Sequence, residues 1–166
     1  MIRHSLLCIA ALTALAKADK VQIKPSSTPV PPSQVIQGVR TTAYTHTESD
    51  HLKYGARTAA GTALKFGQVR SAAADWSVYP VGTVFQIVGN PALYIVEDYG
   101  SALVGTGTID LYKPDQGRVN TWGVRRVNIQ IVKWGSFSKS LAILKPRESK
   151  APHVRQMVAR IEARSV

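Results

Sequence analysis

The sequence predicts an all-β fold, because its central part consists of short apolar runs separated by glycine and polar turns. The clearest strand is 125–133, where Val127, Ile129 and Ile131 alternate with polar residues at a period of two. Such alternation is typical of a strand with one buried and one solvated face. We therefore expect an all-β barrel of about six short strands, followed by one short helix.

The other strands are predicted from similar runs. Segments 83–88 and 92–96 flank the turn sequence Gly89-Asn90-Pro91, so they are expected to form a hairpin. Three further strands are predicted at 39–45, 69–74 and 108–112.

One helix is predicted near the C-terminus, where apolar residues recur at i, i+3, i+4 and i+7 with arginines between them. The apolar positions are Val154, Met157, Val158 and Ile161. This helix could dock on the barrel or lie on a membrane surface.

The ends of the chain predict a four-part organisation. Residues 1–18 have a basic start, an apolar run and the small-x-small site Ala16-Lys17-Ala18, which indicate a secretory signal peptide. Residues 19–35 are rich in proline and serine and are expected to be an extended linker. The folded domain is expected at 36–135 and a basic tail at 136–166. We expect export to the periplasm or cell envelope, with outer-membrane association as one option.

The chain is strongly basic, with a formal net charge of +11. The tail alone has seven Lys or Arg residues against Glu148 and Glu162. An exported basic protein meets wall polymer and anionic envelope surfaces before nucleic acid, so no nucleic-acid partner is expected. The alternative is a solvated basic face that aids solubility. The single cysteine, Cys8, lies within the predicted signal, which excludes thiol chemistry and disulfides in the mature chain.

Two aspartates adjoin apolar sequence and are candidates for acid–base chemistry. Asp98 ends an apolar run, and Asp110 lies between Ile109 and Leu111. In a strand those two neighbours would face the core while Asp110 faces the other side. Glycoside cleavage needs a carboxylic acid whose surroundings keep it protonated, and a site beside apolar residues is suited to that. Alternatively, both aspartates could simply end strands and accept backbone hydrogen bonds in turns.

Six ordered segments resemble the blocks of the 3D domain, a family named for three aspartates and found in membrane-bound lytic transglycosylases and stationary-phase survival proteins. The segments are Ala43-Tyr44-Thr45, Ala60-Gly61-Thr62-Ala63-Leu64, Ala73-Ala74-Asp75, Tyr79-Pro80-Val81-Gly82-Thr83, Val96-Glu97-Asp98-Tyr99-Gly100 and Ile109-Asp110-Leu111-Tyr112.

The resemblance implies a double-psi β-barrel and cleavage of the MurNAc-GlcNAc bond of peptidoglycan to leave a 1,6-anhydro sugar. It makes Asp110 the acid/base and Asp98 its close partner, whereas Asp75, the third aspartate, is not expected to take part in the chemistry. The substrate-binding residues are expected to be Tyr44, Asp75, Tyr99, Gly100 and Tyr112. No cofactor or metal is implied.

Three alternatives stay open. The same aspartates could hydrolyse a β-1,4 glycan, or the domain could bind the wall without catalysis, as expansins do. The cluster His46, Glu48, Asp50 and His51 could in principle bind zinc. Because adjacent ligands in a polar loop rarely close a metal site, we predict a solvated loop at the rim of the cleft instead.

Overall fold

The structure, a computed structural model, describes residues 35–49, 52 and 55–164. The predicted signal peptide 1–18 and the predicted linker 19–35, apart from Val35, lie outside the described residues. Among the residues described, none of the helices has the length and apolar content needed to cross a membrane.

Six strands form a closed barrel in the spatial order β1-β5-β2-β4-β3-β6. The β1/β5 and β2/β4 pairs are parallel, and the other four pairs are antiparallel. The strands are β1 Val35–Tyr44, β2 Val69–Ala74, β3 Val84–Ile87, β4 Leu93–Asp98, β5 Ile109–Tyr112 and β6 Arg125–Lys133. This barrel confirms the predicted fold class and the predicted β3–β4 hairpin. The strand crossing that defines a double-psi barrel stays a prediction.

The barrel interior is filled by alternate residues of the strands. Ala72 and Ala74 of β2, Ile109 and Leu111 of β5 and Ile129 of β6 are all fully buried in one cluster. Burying each of the larger side chains, Ile109, Leu111 and Ile129, stabilises the fold by about 2 kcal/mol. Residues between these positions therefore face outward, and on β2 and β5 they include Ala73 and Asp110.

The C-terminal helix is present as α3, Pro152–Glu162, and its apolar stripe packs on the barrel. Val154, Met157, Val158 and Ile161 are buried in the same cluster as the barrel interior. Pro152 is at the start of the helix, where its missing N–H has no intrahelical partner to lose.

Two more helices occur where the sequence analysis predicted none. Helix α1, Gln116–Trp122, buries no residue, so it has no apolar stripe to detect. Its sequence signal is Asp115, whose side chain accepts from the Arg118 N–H as an N-cap. Helix α2, Phe137–Leu144, is similarly capped by Ser136, which accepts from the Lys139 N–H.

Gly135 joins β6 to α2 at a point where the backbone passes very close to residues 80–83. A Cβ atom at this position would overlap the carbonyl oxygens of Pro80 and Val81 and the backbone nitrogen of Thr83. Because the colliding atoms belong to the backbone, no side-chain rotation can relieve the contact.

We predict that Gly135→Ala lowers the free energy of unfolding by about 3 kcal/mol or more, at the upper end of overpacking costs. Chemical denaturation of the purified variant measures this. The matched control is Gly67→Ala, because a Cβ at Gly67 meets nothing within 4 Å. Equal stability of the two variants would contradict the packing described here.

Candidate active site

The two candidate catalytic aspartates lie on either side of one alanine. Strand β2 runs between β4 and β5, and its Ala73 pairs with Asp98 on one side and Asp110 on the other. Neighbouring strands are about 4.8 Å apart, so the two aspartate Cα atoms are separated by roughly 10 Å. The methyl group of Ala73 lies in the row between them, and the Tyr44 hydroxyl contacts Asp98. Asp98, Ala73 and Asp110 therefore form a row across three strands. This row is the shallow floor of a cleft, with a carboxyl group at each edge.

A β-bulge turns Asp98 toward this floor. Tyr94 and Val96 of β4 are buried in the barrel core, so simple alternation would direct Asp98 inward as well. The register shifts between Ala72, which pairs with Val96, and Ala73, which pairs with Asp98. Glu97 is the extra residue, and bulges of this kind re-aim side chains beside functional sites.

Asp98 is held firmly at one edge of the cleft. Its Oδ1 accepts from the backbone N–H groups of Ala59 at 3.1 Å and Tyr99 at 2.9 Å. Its Oδ2 accepts from the Tyr44 hydroxyl at 3.3 Å. Backbone N–H donors favour the charged form of a carboxylate, so these contacts suit Asp98 to act as a fixed anion.

Asp110 lies at the other edge and is only partly buried. Its Oδ1 accepts from the Thr42 hydroxyl at 2.6 Å, across the parallel β1/β5 pair. Its neighbours Ile109 and Leu111 are fully buried, which fixes the direction of its side chain. The Asp110 side chain therefore points away from the barrel interior, as predicted from its buried neighbours.

The cleft above this floor is open to solvent and has a volume of about 130 Å³. Pockets that enclose small molecules are usually about 300–1,000 Å³, so this cleft suits part of an extended polymer better than a whole small ligand. The lining residues are Tyr44, Glu48, Ala73, Asp98, Tyr99, Gly100, Ser101, Ala102, Leu103 and Asp110.

The predicted substrate-binding residues divide into three groups. Tyr44, Tyr99 and Gly100 line the cleft with both aspartates. Tyr112 lies behind it, in a small cluster with Tyr44, Ala73 and Leu103, and its hydroxyl is 2.9 Å from His46 Nδ1.

Asp75 does not fit the substrate contact predicted for it. It is fully buried, its Oδ1 accepts from the Ser77 N–H and hydroxyl, and its Oδ2 accepts from the Gly105 N–H. Arg160 of α3 forms a salt bridge with the same Oδ2 at 3.2 Å. With both oxygens engaged by the protein, Asp75 holds the 100–107 loop to the barrel and to α3.

A second charged contact fixes the other wall of the cleft. Glu97 is buried and accepts from Lys65 Nζ at 2.6 Å and from the Ser71 hydroxyl at 2.5 Å. Arg147, which follows α2, donates to the Ala59 carbonyl at 2.9 Å. Since Ala59 donates its N–H to Asp98, both contacts hold the 55–67 segment where it can bind that carboxylate.

Several of these contributors were not predicted from the sequence. Ala73 and Thr42 carry no chemical signal of their own, and only strand pairing identifies them. Glu48, which was assigned to a solvated loop, lines the cleft as a third carboxylate. Among the residues that the structure describes, no group of three His, Cys, Asp or Glu side chains could hold a metal ion, and Asp50 and His51 of the candidate cluster lie outside those residues.

The fold and the site together define a small closed β-barrel with an open cleft on its outer wall, where two aspartates flank an alanine. The family model for the 3D domain matches residues 70–133, which contain Asp75, Asp98 and Asp110. Residues 70–133 thus resemble the 3D domain, a domain associated with lytic transglycosylase-like function at the cell wall. No curated protein matches the chain.

Tyr44 is electrostatically coupled to both aspartates. Burial raises the pKa of Tyr44 well above its ordinary value, and the negative charges of Asp98 and Asp110 raise it further. The native state thus keeps this phenol protonated at a pH where the unfolded chain, with a tyrosine pKa of about 10, releases the proton. Stability contributed in this way is complete below about pH 10 and is lost as pH rises above it.

We predict that Tyr44 does not ionise in the native protein at about pH 10.5. Tyrosinate absorbance near 295 nm should then be equal in native wild type and native Tyr44→Phe. After denaturation at the same pH, wild type should show about three-quarters of one tyrosinate more than the variant, because an unfolded tyrosine has a pKa of about 10. A difference already present before unfolding would contradict the burial and charge assigned to this phenol.

Proposed function

We propose that this protein is a lytic transglycosylase that cleaves the MurNAc-GlcNAc β-1,4 bond of peptidoglycan. The observation that carries the proposal is the row Asp98, Ala73 and Asp110, which lines an open cleft within the 3D domain. The protein would act on glycan strands in the envelope after export through its N-terminal segment. The exposed basic residues of the tail are suited to anionic envelope surfaces.

The contacts of the two aspartates divide the chemical roles between them. Asp110 is the acid/base, because it is partly exposed at the cleft edge and its side chain is directed by buried neighbours. Asp98 is the anionic partner, because two backbone N–H groups favour its charged form. Its charge stabilises the positive charge that develops on the sugar ring.

The reaction proceeds in two proton transfers without water. Asp110 gives its proton to the glycosidic oxygen, and the bond from that oxygen to C1 of MurNAc breaks. The resulting carboxylate then takes the proton of the MurNAc C6 hydroxyl, and the C6 oxygen bonds to C1. The products are a free GlcNAc end and a 1,6-anhydroMurNAc end, and Asp110 is protonated again.

Hydrolysis is the second candidate, and the spacing of the site favours considering it. Carboxyl groups in inverting glycosidases are about 6.5–9.5 Å apart, which leaves room for a water molecule. Asp98 and Asp110 lie on strands separated by one strand, an arrangement compatible with that spacing. In that case Asp98 would activate the water and Asp110 would protonate the leaving oxygen.

We predict that Asp110→Asn lowers turnover of purified sacculi by about 10²–10⁴-fold, because it removes the general acid. Asp98→Asn should lower turnover as well, with binding retained. The measurement is mass spectrometry of the soluble muropeptides, made in ¹⁸O-labelled water. Unlabelled anhydro ends are expected from the wild type, whereas labelled reducing ends would show that the protein is a hydrolase and not a transglycosylase.

The matched control is Glu162→Gln, which changes an exposed carboxylate at the end of α3 and outside the cleft. Its ion pair with Lys145 is solvent-exposed, so the fold should persist and turnover should equal that of the wild type. If the wild type binds sacculi but yields no soluble product at any pH, and Asp110→Asn binds equally well, the protein is a noncatalytic wall-binding module.

A further inference from the structure

A second depression lies near β5 and α1, and it combines cations with aromatic rings. It is lined by Phe66, Lys113, Arg118, Thr121, Trp122 and Arg125 and has a volume of about 180 Å³. None of these residues takes part in the cleft chemistry described above. Only one acidic side chain, Asp115, pairs with any of the cations in the described part of the chain.

Lys113 is the most buried of these cations, with 5% of its surface exposed. Its Nζ atom lies 4.6 Å from the centre of the Trp122 ring and 5.7 Å from that of Phe66. Arg125 and Arg118 approach the same two rings, at 4.2 Å from Trp122 and 5.8 Å from Phe66 respectively. With Arg70, whose guanidinium lies 4.6 Å from the centre of Phe66, four positive groups therefore share two aromatic walls.

The hydrogen bonds of this depression leave positive charge uncompensated. Arg118 pairs with Asp115, and Arg125 donates to the carbonyl oxygens of Trp122 and Thr121. Within the described ranges, Lys113 takes part in no salt bridge. The buried indole Nε1 of Trp122 also finds no hydrogen-bond acceptor there. Trp122 lines the depression, and a buried donor without a partner costs about 1–3 kcal/mol, so an acceptor beside this ring would be stabilising.

The electrostatics of Lys113 agree with this description. Burial, together with the neighbouring charges of Arg70 and Arg125, lowers the pKa of Lys113 to about 8. The free protein therefore keeps this ammonium charged only at a cost. A bound anion would offset both the desolvation and the repulsion between cations.

We infer that Lys113, Arg118 and Arg125, with the Trp122 indole N–H, form a binding site for an oxyanion, either a carboxylate or a phosphate. Positive donors and one neutral N–H donor match the acceptor oxygens of such a group. The faces of Phe66 and Trp122 limit its access to water and strengthen the attraction.

The oxyanion site and the cleft are joined through shared packing. Phe66 packs against the cluster that contains Tyr44, Ala73 and Leu103 of the cleft. The Lys113 N–H donates to the Tyr44 carbonyl at 2.8 Å. Lys113 follows Asp110 by three residues, which spans about 10 Å of extended chain.

This distance suggests which anion the site takes, and this step rests on the proposed function. MurNAc carries a peptide with free carboxylates, and a glycan in the cleft would bring that peptide within reach. The oxyanion is then a carboxylate of the peptide substituent, and the site selects peptide-bearing glycan over bare glycan.

The site itself is tested with sulfate as the probe, using the ¹H–¹⁵N signal of the Trp122 indole. In the wild type this signal should shift and saturate as sulfate is added. In Lys113→Met the affinity for sulfate should fall by at least about tenfold, as expected for the loss of one charge-assisted hydrogen bond. The control Lys139→Met, an exposed lysine of α2, should behave as the wild type. An indole signal that does not shift when sulfate is added, or that shifts with the same affinity in wild type and Lys113→Met, would overturn the inference.

Two further readouts keep this test decisive. Sulfate affinity should be constant between about pH 6 and 7.5 and fall above about pH 8, because Lys113 loses its proton there. The other charged groups near Lys113 are Arg70, Arg125 and Arg118, which is paired with Asp115. If Lys113→Met fails to fold, Arg118→Met replaces it, since Arg118 is exposed. A flat pH profile with unchanged affinity in Arg118→Met would equally refute the site.

The substrate assignment is tested on Asp110→Asn, so that binding is measured without turnover. Glycan strands carrying peptides should bind more tightly than strands stripped of peptides by an amidase, and Lys113→Met in the same background should remove the difference. Equal binding of both strands would overturn the assignment to a peptide carboxylate. Failure of both strands to bind, with a normal sulfate response, would count against the proposed function and leave the oxyanion site standing.

Discussion

The pairing of Ala73 with two aspartates is the constraint on which the candidate site depends. Strand β2 has β4 on one side and β5 on the other, so one position of β2 fixes the relation between two side chains that are distant in sequence. The bulge at Glu97 is needed as well, because regular alternation would send Asp98 into the core. A closed barrel with a bulge at this point of β4 therefore places two carboxyl groups outside it, at a fixed separation and above an apolar floor.

The loops around this row are held by buried charged contacts. Asp75 binds the 100–107 loop and Arg160, and Glu97 binds Lys65 next to the segment that donates to Asp98. Arg147 connects the segment after α2 to the same wall of the cleft. The C-terminal helices thus support both walls, and part of the positive charge of the tail is used within the molecule.

The sequence predicted the strands well because their apolar patterns are local. The segments 69–74 and 125–133 agree with β2 and β6 residue for residue, and the flanking Ile109 and Leu111 gave the correct direction for Asp110. No local sequence pattern indicates the bulge at Glu97, because the bulge depends on how β4 pairs with β2. Asp75 was misassigned for the same reason: its partners Gly105 and Arg160 lie far from it in sequence. Helix α1 escaped detection because it buries nothing, although its Asp115 cap was visible.

Two chemically opposite surfaces result from this arrangement. The cleft presents carboxyl groups above a methyl floor, while the oxyanion site presents cations and an indole N–H between aromatic rings. Phe66 and the cluster of Tyr44, Ala73, Leu103 and Tyr112 separate them. A polymer that carries both neutral sugar and anionic substituents is the kind of ligand that such a pair of surfaces fits.

The central claim is that a glycan lies across Ala73, between the two aspartates. The most direct measurement is the ¹³C methyl signal of Ala73 in Asp110→Asn, recorded as peptidoglycan glycan strands are added. The account predicts that this signal shifts and saturates with the strand concentration, while the signal of the buried Ala74 methyl stays in place. An Ala73 methyl that does not move while strands bind elsewhere would contradict it.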